Sequence, residues 1–183
     1  MKFAVATLAA ASALVCAVPA HAVIFTYTGN TTGQPTYTRP LESLGALSAV
    51  GVGVAYQTFE FSVGANGDYT FLTTGEFDTF LTLYAGSFNP LDPLSNGLIA
   101  NDDLISPPFT TSGFAATLNT ATSYVLVVTG FAPTDFGAYS TTIGGPGAII
   151  STIPEPASYG LMALGALGVM ALRRRRERAA NEA

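Results

Sequence analysis

The pattern of hydrophobic and polar positions divides the chain into three parts. Continuous apolar runs occupy residues 3–18 and 157–172, and between them short apolar stretches alternate with polar residues. Alternation of this kind, rich in β-branched and aromatic residues, is typical of β-strands. It predicts strands at residues 23–28, 55–63, 69–73, 79–84, 114–118, 124–129 and 138–143.

Turn-forming residues separate these predicted strands. Clusters of Gly, Pro, Asn and Asp occur at residues 64–68, 86–96, 106–108 and 131–137, and helical periodicity is nearly absent between them. Short strands at this spacing predict an all-β fold, a single antiparallel β-sandwich of the jelly-roll-like kind. We expect its core at residues 56–143, after an irregular and strand part at residues 23–55 and before a Gly/Pro linker or last strand at residues 144–153.

The first apolar run has the order of a secretory signal peptide. Lys2 precedes the run, and Pro19 and the triplet Ala20-His21-Ala22 follow it. We therefore expect a signal helix within residues 1–22, export through the Sec translocon and cleavage after Ala22. The alternative is a transmembrane or buried helix, although the run is short for a bilayer core of about 30 Å.

Cleavage at this site changes the chemistry that remains. The chain's one cysteine, Cys16, and one histidine, His21, both precede Val23. The exported part therefore has no disulfide, and its fold must rest on packing. Catalytic Ser-His-Asp and Cys-His groups and His or Cys metal sites are excluded for the same reason.

The C-terminal segment has three parts in a fixed order. Pro154-Glu155-Pro156 precedes the apolar run at residues 157–172, and Arg173, Arg174, Arg175 and Arg176 follow it. The run is 16 residues long, which as a helix measures about 24 Å and predicts a short transmembrane span. The arginines keep the C-terminal end of this span on the cytoplasmic side of the membrane, so residues 179–183 form a cytoplasmic tail. A core helix followed by a solvated basic end is the alternative.

This order, over residues 154–178, resembles the C-terminal sorting domain of the bacterial PEP-CTERM proteins. The resemblance implies recognition by an exosortase, a membrane cysteine protease or transpeptidase that cuts near the Pro-Glu-Pro triplet. It also implies a membrane-anchored precursor that passes to the cell surface or to the extracellular space.

A second resemblance concerns the middle of the chain. Several segments resemble the bacterial pre-peptidase C-terminal domain, a jelly-roll-like sandwich, and they lie at residues 67–69, 77–84, 98–103, 124–128 and 137–139. This resemblance implies the fold and no activity.

The charge of the middle part excludes one class of partner. Residues 23–153 carry nine carboxylates and a single basic residue, Arg39, a net charge of −8. Such a segment cannot neutralise phosphates, so nucleic-acid binding is excluded. We expect the lone Arg39 on the surface.

Carboxylates are the remaining candidates for chemistry. A hydrolase would need a pair of them, for which Glu60 and Glu76 are candidates, but both are also ordinary solvent-facing strand positions. We therefore expect no catalytic residues and no enzymatic activity.

One acidic cluster stands out. Asp102 and Asp103 follow Asn101, and Asp78 joins them if the two segments pair. Hard oxygen ligands of this kind suit Ca²⁺, which is the one candidate; we otherwise expect no cofactor. The alternative is a hydrogen-bonded turn in which an aspartate caps backbone amides.

Taken together, the sequence predicts a non-enzymatic surface or extracellular-matrix protein associated with exopolysaccharide or biofilm. The alternatives are a calcium- or carbohydrate-binding module and, third, a carboxylate-based hydrolase. Exposed, coplanar rings in a set of tyrosines would favour binding, and burial of these rings would favour a structural role. These are Tyr56, Tyr69, Tyr84 and Tyr139.

Overall fold

The structure is a computed structural model that describes residues 22–151, and this range is built from β-strands. In chain order they are β1 (Val23–Asn30), β2 (Thr36–Tyr37), β3 (Val54–Val63), β4 (Gly67–Gly75), β5 (Thr79–Ala85), β6 (Gly97–Asn101), β7 (Thr111–Leu118), β8 (Tyr124–Gly130), β9 (Ala138–Gly145) and β10 (Ile149–Ser151).

The strands form two antiparallel sheets. One has four strands in the order β1-β9-β4-β7, and the other has the order β10-β3-β8-β5-β6 with β2 added against β3. From β3 to β10 the chain changes sheet at every step except the step from β5 to β6. This alternation is the arrangement of a jelly roll, so the predicted all-β, jelly-roll-like sandwich is confirmed.

The space between the sheets holds the main hydrophobic core. Alternate residues of each strand point inwards, as the period of two requires. Phe59 lies at the centre, with its ring stacked 4.3 Å from that of Tyr27 and 5.5 Å from those of Phe25 and Phe61. The aromatic stack therefore joins β1 at one edge of the four-stranded sheet to β3 in the other sheet.

A second, smaller hydrophobic cluster covers the outer face of the six-stranded sheet. Val125 and Val127 of β8 and Tyr84 of β5 point outwards there and pack against Tyr37 of β2. Phe88, from the loop between β5 and β6, packs on the same cluster. Strand β8 is consequently buried on both faces along its whole length.

Each predicted strand is present, with boundaries that differ by one to three residues at most ends. Strands β2 and β6 were not predicted, and residues 149–151 adopt the last-strand alternative for the segment 144–153. Gly67 and Asp68, predicted within a turn, belong to β4. The predicted division between residues 55 and 56 falls inside β3, and β1 pairs with β9, so residues 23–151 form one sandwich.

Both predicted helices lie outside the described residues. The signal helix precedes residue 22, and the sorting motif with its apolar run and arginines follows residue 151. Within residues 22–151, no helix is long and apolar enough to cross a membrane.

Truncation of the central ring should destabilise the sandwich strongly. Phe59 is 2% exposed, and Phe59→Ala leaves a cavity beside three rings. We expect a loss of about 3–5 kcal/mol in the free energy of unfolding of fragment 23–151, measured by urea denaturation. The neighbouring Thr58→Ala, at an exposed position, is the control and should change it by under about 0.5 kcal/mol. Equal losses in the two variants would contradict this account of the core.

Candidate functional site: an aspartate cluster beside a buried arginine

The pairing of β5 with β6 assembles the acidic cluster. The two strands are antiparallel, with Leu81 opposite Asn101, so β5 begins at the end of the sheet where β6 ends. Asp78 directly precedes β5, while Asp102 and Asp103 directly follow β6. One carboxylate oxygen of each aspartate lies within 4.8 Å of those of the other two. The structure thus brings the three predicted residues together.

Each of these aspartates has an oxygen without a partner. The Oδ1 atoms of Asp78, Asp102 and Asp103 are buried and accept no hydrogen bond. A buried acceptor without a partner costs about 1–3 kcal/mol, and more when it is charged. The alternative prediction, a turn in which an aspartate oxygen caps backbone amides, leaves these three atoms unexplained.

A fourth carboxylate reaches the cluster from a distant segment. Glu42 Oε1 accepts hydrogen bonds from the backbone N–H of Asp102 at 2.8 Å and from Asn101 Nδ2 at 3.2 Å. Asn101 Oδ1 in turn accepts one from the backbone N–H of Gly113 at 2.9 Å. These bonds fix the chain at the end of β6. The sequence did not indicate Glu42, because it lies about 60 positions away in the least regular part of the chain.

The surroundings shift the protonation of the cluster. Burial, followed by the charge of Asp103, raises the pKa of Asp78 to about 6. Burial, followed by the charge of Asp78, raises the pKa of Asp102 to about 7. Burial and then the nearby Glu42 raise the pKa of Asp103 as well. The three carboxylates are therefore costly to ionise together unless a cation joins them.

Arg39 lies beside the cluster and is buried, so the prediction of a surface arginine is wrong. Its guanidinium lies over the ring of Phe80, with Cζ 4.0 Å from the centroid, and 4.6 Å from that of Phe131. Arg39 Nε donates to the carbonyl of Phe131 and Nη1 to that of Pro40, both at 3.0 Å. Cation–π contacts and backbone acceptors thus replace the water that the side chain loses.

The backbone around Arg39 is shaped to hold it. A Cβ on Gly51 would lie 2.3 Å from Arg39 Cγ, so only glycine fits there. Burial lowers the pKa of Arg39, and the negative charges of Asp102 and Asp78 oppose this effect. The arginine therefore compensates part of the cluster's charge through space. The direct hydrogen bonds from Arg39 Nε and Nη1, by contrast, go to backbone carbonyls.

The other predicted candidates are dispersed. Glu60 is exposed on the outer face of β3, whereas Glu76 follows β4 of the other sheet, so they do not form a pair on one surface. Among the tyrosines, Tyr69, Tyr84 and Tyr139 are buried, and Tyr56 is partly exposed. Three of the four thus contribute to the core, and Tyr56 is left as a candidate for binding.

The aspartate cluster suits an ion better than a sugar. Glycosidases hold their two carboxyl groups about 5–9.5 Å apart, with room between them for a glycosidic bond. Here the oxygens converge within 4.8 Å and each offers a free lone pair. Such an all-oxygen set matches the ligand preference of Ca²⁺.

Comparison with known proteins identifies the C-terminal segment. Residues 152–176 match the PEP-CTERM protein-sorting motif, as the sequence predicted. The match begins directly after β10, the last strand. It supports an exported, membrane-transiting protein that an exosortase sorts. No curated protein sequence matches the chain.

Solved structures with a similar β-rich course are distant. The Yersinia pseudotuberculosis-derived mitogen shares 12% identity, with a TM-score of 0.40, over 74% of this chain and 92% of that one. The K3 cleaved adhesin domain of Lys-gingipain from Porphyromonas gingivalis shares 14% identity, with a TM-score of 0.33, over 69% and 91%. At such scores neither similarity bears on function.

The raised pKa values predict a pH dependence of stability without metal. Between about pH 4 and pH 7 the folded protein retains protons on Asp78 and Asp102 that the unfolded chain has released. Their contribution to stability is therefore present at low pH and is lost as pH rises through this window. Because Asp102→Asn removes one of the two titrating groups, we expect this variant to lose less stability as pH rises. In EDTA, the difference between its Tm and the wild-type Tm should therefore increase in favour of the variant as pH rises.

The measurement is thermal unfolding of fragment 23–151, followed by circular dichroism at constant ionic strength. Glu76→Gln, which removes an exposed carboxylate outside the cluster, is the control and should follow the wild-type curve. A difference between Asp102→Asn and wild type that shrinks or stays constant from pH 4 to pH 7.5 would show that the cluster is not coupled to folding in this way.

Proposed function

We propose that the chain is a non-enzymatic protein of the cell surface or extracellular matrix, exported through an N-terminal signal and sorted by an exosortase, and that it associates with exopolysaccharide. The observation that carries this proposal is the PEP-CTERM protein-sorting motif at residues 152–176. The motif begins directly after β10, the last strand of the folded jelly roll.

The position of the motif supports processing at the edge of the folded domain. Ser151 is the last residue of β10 and lies opposite Phe61 of β3. Pro154 follows three positions later, and a proline has no N–H for a further ladder bond. A sequence that cannot continue a strand ladder and favours extended backbone suits recognition by a protease.

The chemistry of the described residues supports a non-enzymatic role. Residues 22–151 contain no histidine, cysteine or lysine, and their one arginine is buried against two aromatic rings. The carboxylates predicted as a hydrolase pair are apart, because Glu60 lies in β3 and Glu76 follows β4 of the other sheet. A structural or binding role requires none of these groups.

A second candidate function is calcium binding by the aspartate cluster. Its support is the convergence of Asp78, Asp102 and Asp103 together with the buried, unpartnered oxygen of each. A bound cation would pair with all three oxygens and offset the burial, and then the repulsion, that raise the pKa values of these aspartates. In this role the ion stabilises the sandwich by joining the start of β5 to the end of β6.

The sorting proposal predicts a defined change when the triplet is replaced. With Pro154, Glu155 and Pro156 all changed to alanine, we expect a full-length, membrane-bound form to accumulate, because the exosortase loses its recognition element. Mass spectrometry of the wild-type surface protein should find Val23 at the N-terminus and a C-terminus before Tyr159.

The matched control replaces Ser158, outside the triplet, with alanine, and this protein should be processed as wild type. Circular dichroism should find the same strand content in the trapped form, since β10 ends before the triplet. Wild-type surface protein that retains Arg173 to Ala183 would contradict removal of the tail.

The calcium proposal predicts a stability that depends on the ion. At 100 times its Kd, a ligand of the folded state adds about 2.7 kcal/mol, which corresponds to several degrees in Tm. We expect EDTA to lower the Tm of wild-type fragment 23–151 accordingly at pH 7.5. Asp102→Asn removes a charged ligand, so the ion should no longer bind and the Tm should be insensitive to EDTA. The amide keeps an oxygen that can still accept hydrogen bonds in the turn.

Differential scanning calorimetry with added CaCl₂ or EDTA makes the measurement. Asp92→Asn, an exposed aspartate of the loop between β5 and β6, is the control and should retain the full response. Identical wild-type transitions in the two solutions would eliminate the calcium proposal and leave the sorting proposal intact.

A further inference from the structure

A groove of about 430 Å³ lies on the outer face of the six-stranded sheet, beside the second hydrophobic cluster, and Val125 of β8 and Tyr56 of β3 are part of its lining. It runs between β3 and the first residues of the loop that follows β5. Its lining includes Tyr56, Thr58, Glu60, Ser87, Phe88 and Pro90.

Part of the groove's lining is aromatic and rigid. Phe88 and Tyr56 are both partly exposed, with ring centroids 5.3 Å apart and planes at 74°. Phe88 also packs 4.9 Å from the ring of Tyr84, and Tyr56 lies 5.0 Å from that of Tyr37. Because these contacts fix both rings, they present a preformed apolar surface with little entropy to lose on binding.

The rest of the groove's lining is polar. Thr58 and Glu60 follow Tyr56 at intervals of two along β3, so their side chains point to the same face, and both are exposed. Ser87 adds a hydroxyl from the loop. An ionised carboxylate only accepts hydrogen bonds, whereas a hydroxyl both donates and accepts. A ligand that matches this groove therefore has an apolar face and several hydroxyl groups at its edge, as the ring of a saccharide has.

The edge of β3 disfavours an extended peptide in the same place. β2 pairs with Val54 and Ala55, and β10 pairs with residues 61–63. The backbone N–H of Tyr56 already donates to the carbonyl of Pro35 at 3.0 Å. The unpaired part of this edge is thus bounded at both ends and is too short for an added strand, whose affinity would come from a row of main-chain hydrogen bonds.

The charge of the domain restricts the saccharide further. Within residues 22–151 the one basic side chain, Arg39, is 2% exposed, so the surface of this range offers no cation to an acidic polymer. Glu60 itself would repel a uronic acid at the groove. A neutral sugar meets neither obstacle.

We propose that this groove binds a neutral saccharide unit of an extracellular polymer, with its apolar face packed on one of the two rings, Tyr56 or Phe88, its edge against the other, and its hydroxyls donating to Glu60. This inference rests on the proposed association with exopolysaccharide and names the surface and the class of sugar that carry it. It is independent of the aspartate cluster, which lies at the start of β5 and the end of β6.

The test uses the full chain in detergent micelles, immobilised for biolayer interferometry. The probes are the exopolysaccharide of the producing cells, treated with protease and separated by anion exchange into a neutral and an acidic fraction. We expect the wild type to bind the neutral fraction. Glu60→Gln should weaken this binding about tenfold, because a charged acceptor is lost, and Phe88→Leu about threefold, because a flat ring is lost.

Matched controls separate the groove from the rest of the surface. Glu76→Gln and Phe136→Leu alter an exposed carboxylate and an exposed ring elsewhere, and both should bind as wild type. Thermal unfolding of each variant verifies that it is folded, and Thr58→Ala supplies a further groove variant that removes one hydroxyl at an exposed position.

The possible results discriminate between the two proposals. Binding of the neutral fraction that all groove variants retain would overturn the groove and leave the association with exopolysaccharide standing. Binding of the acidic fraction alone would also overturn the groove. Absence of binding to both fractions would overturn the association and the groove together.

Discussion

The burial of β8 on both faces is the constraint on which the rest of the structure depends. All seven residues of this strand are buried, with Leu126 and Val128 facing the main core and Val125 and Val127 facing the other way. A jelly roll covers one face of each sheet with the other sheet, so the second apolar face needs a separate cover. Here the cover consists of the irregular segment between β1 and β3 and the loop between β5 and β6. Those two segments also contribute to the candidate sites, the first through Arg39 and Glu42 beside the aspartates and the second through Phe88 in the groove.

Covering β8 explains why a charged residue is buried. The segment between β1 and β3 brings Arg39 over Phe80, where two rings and two backbone carbonyls surround its guanidinium. The same segment carries Glu42, which bonds the end of β6 and closes the space beside Asp102. A domain without disulfides therefore fastens its irregular segment by aromatic packing and charge-assisted hydrogen bonds. The consequence for function is a surface with negative charges and, within residues 22–151, no exposed cation.

Local pattern was sufficient for most of the fold and for part of the site. Strands with two-residue alternation, such as β4 and β9, could be located because each has one buried and one exposed face. β2 is two residues long and β6 follows a loop with two prolines, so neither contains enough alternation to be detected. The aspartates were found because two are adjacent and the third precedes a strand that could pair with theirs. Glu42 and the buried position of Arg39 depend on contacts between segments far apart in the chain, which no local pattern contains.

The sequence by itself determined the sorting motif and the class of fold. The sorting motif is recognised as a linear segment, and the all-β character follows from periodicity and turn residues, so neither depends on long-range contacts. Only the tertiary structure decided which polar groups meet. The antiparallel pairing of β5 with β6 places three carboxylates within 4.8 Å, and the outer cover of β8 leaves Tyr56 and Phe88 beside Glu60 in an open groove. The physical reason is that burial and proximity are set by the register and packing of whole strands, which no single segment specifies.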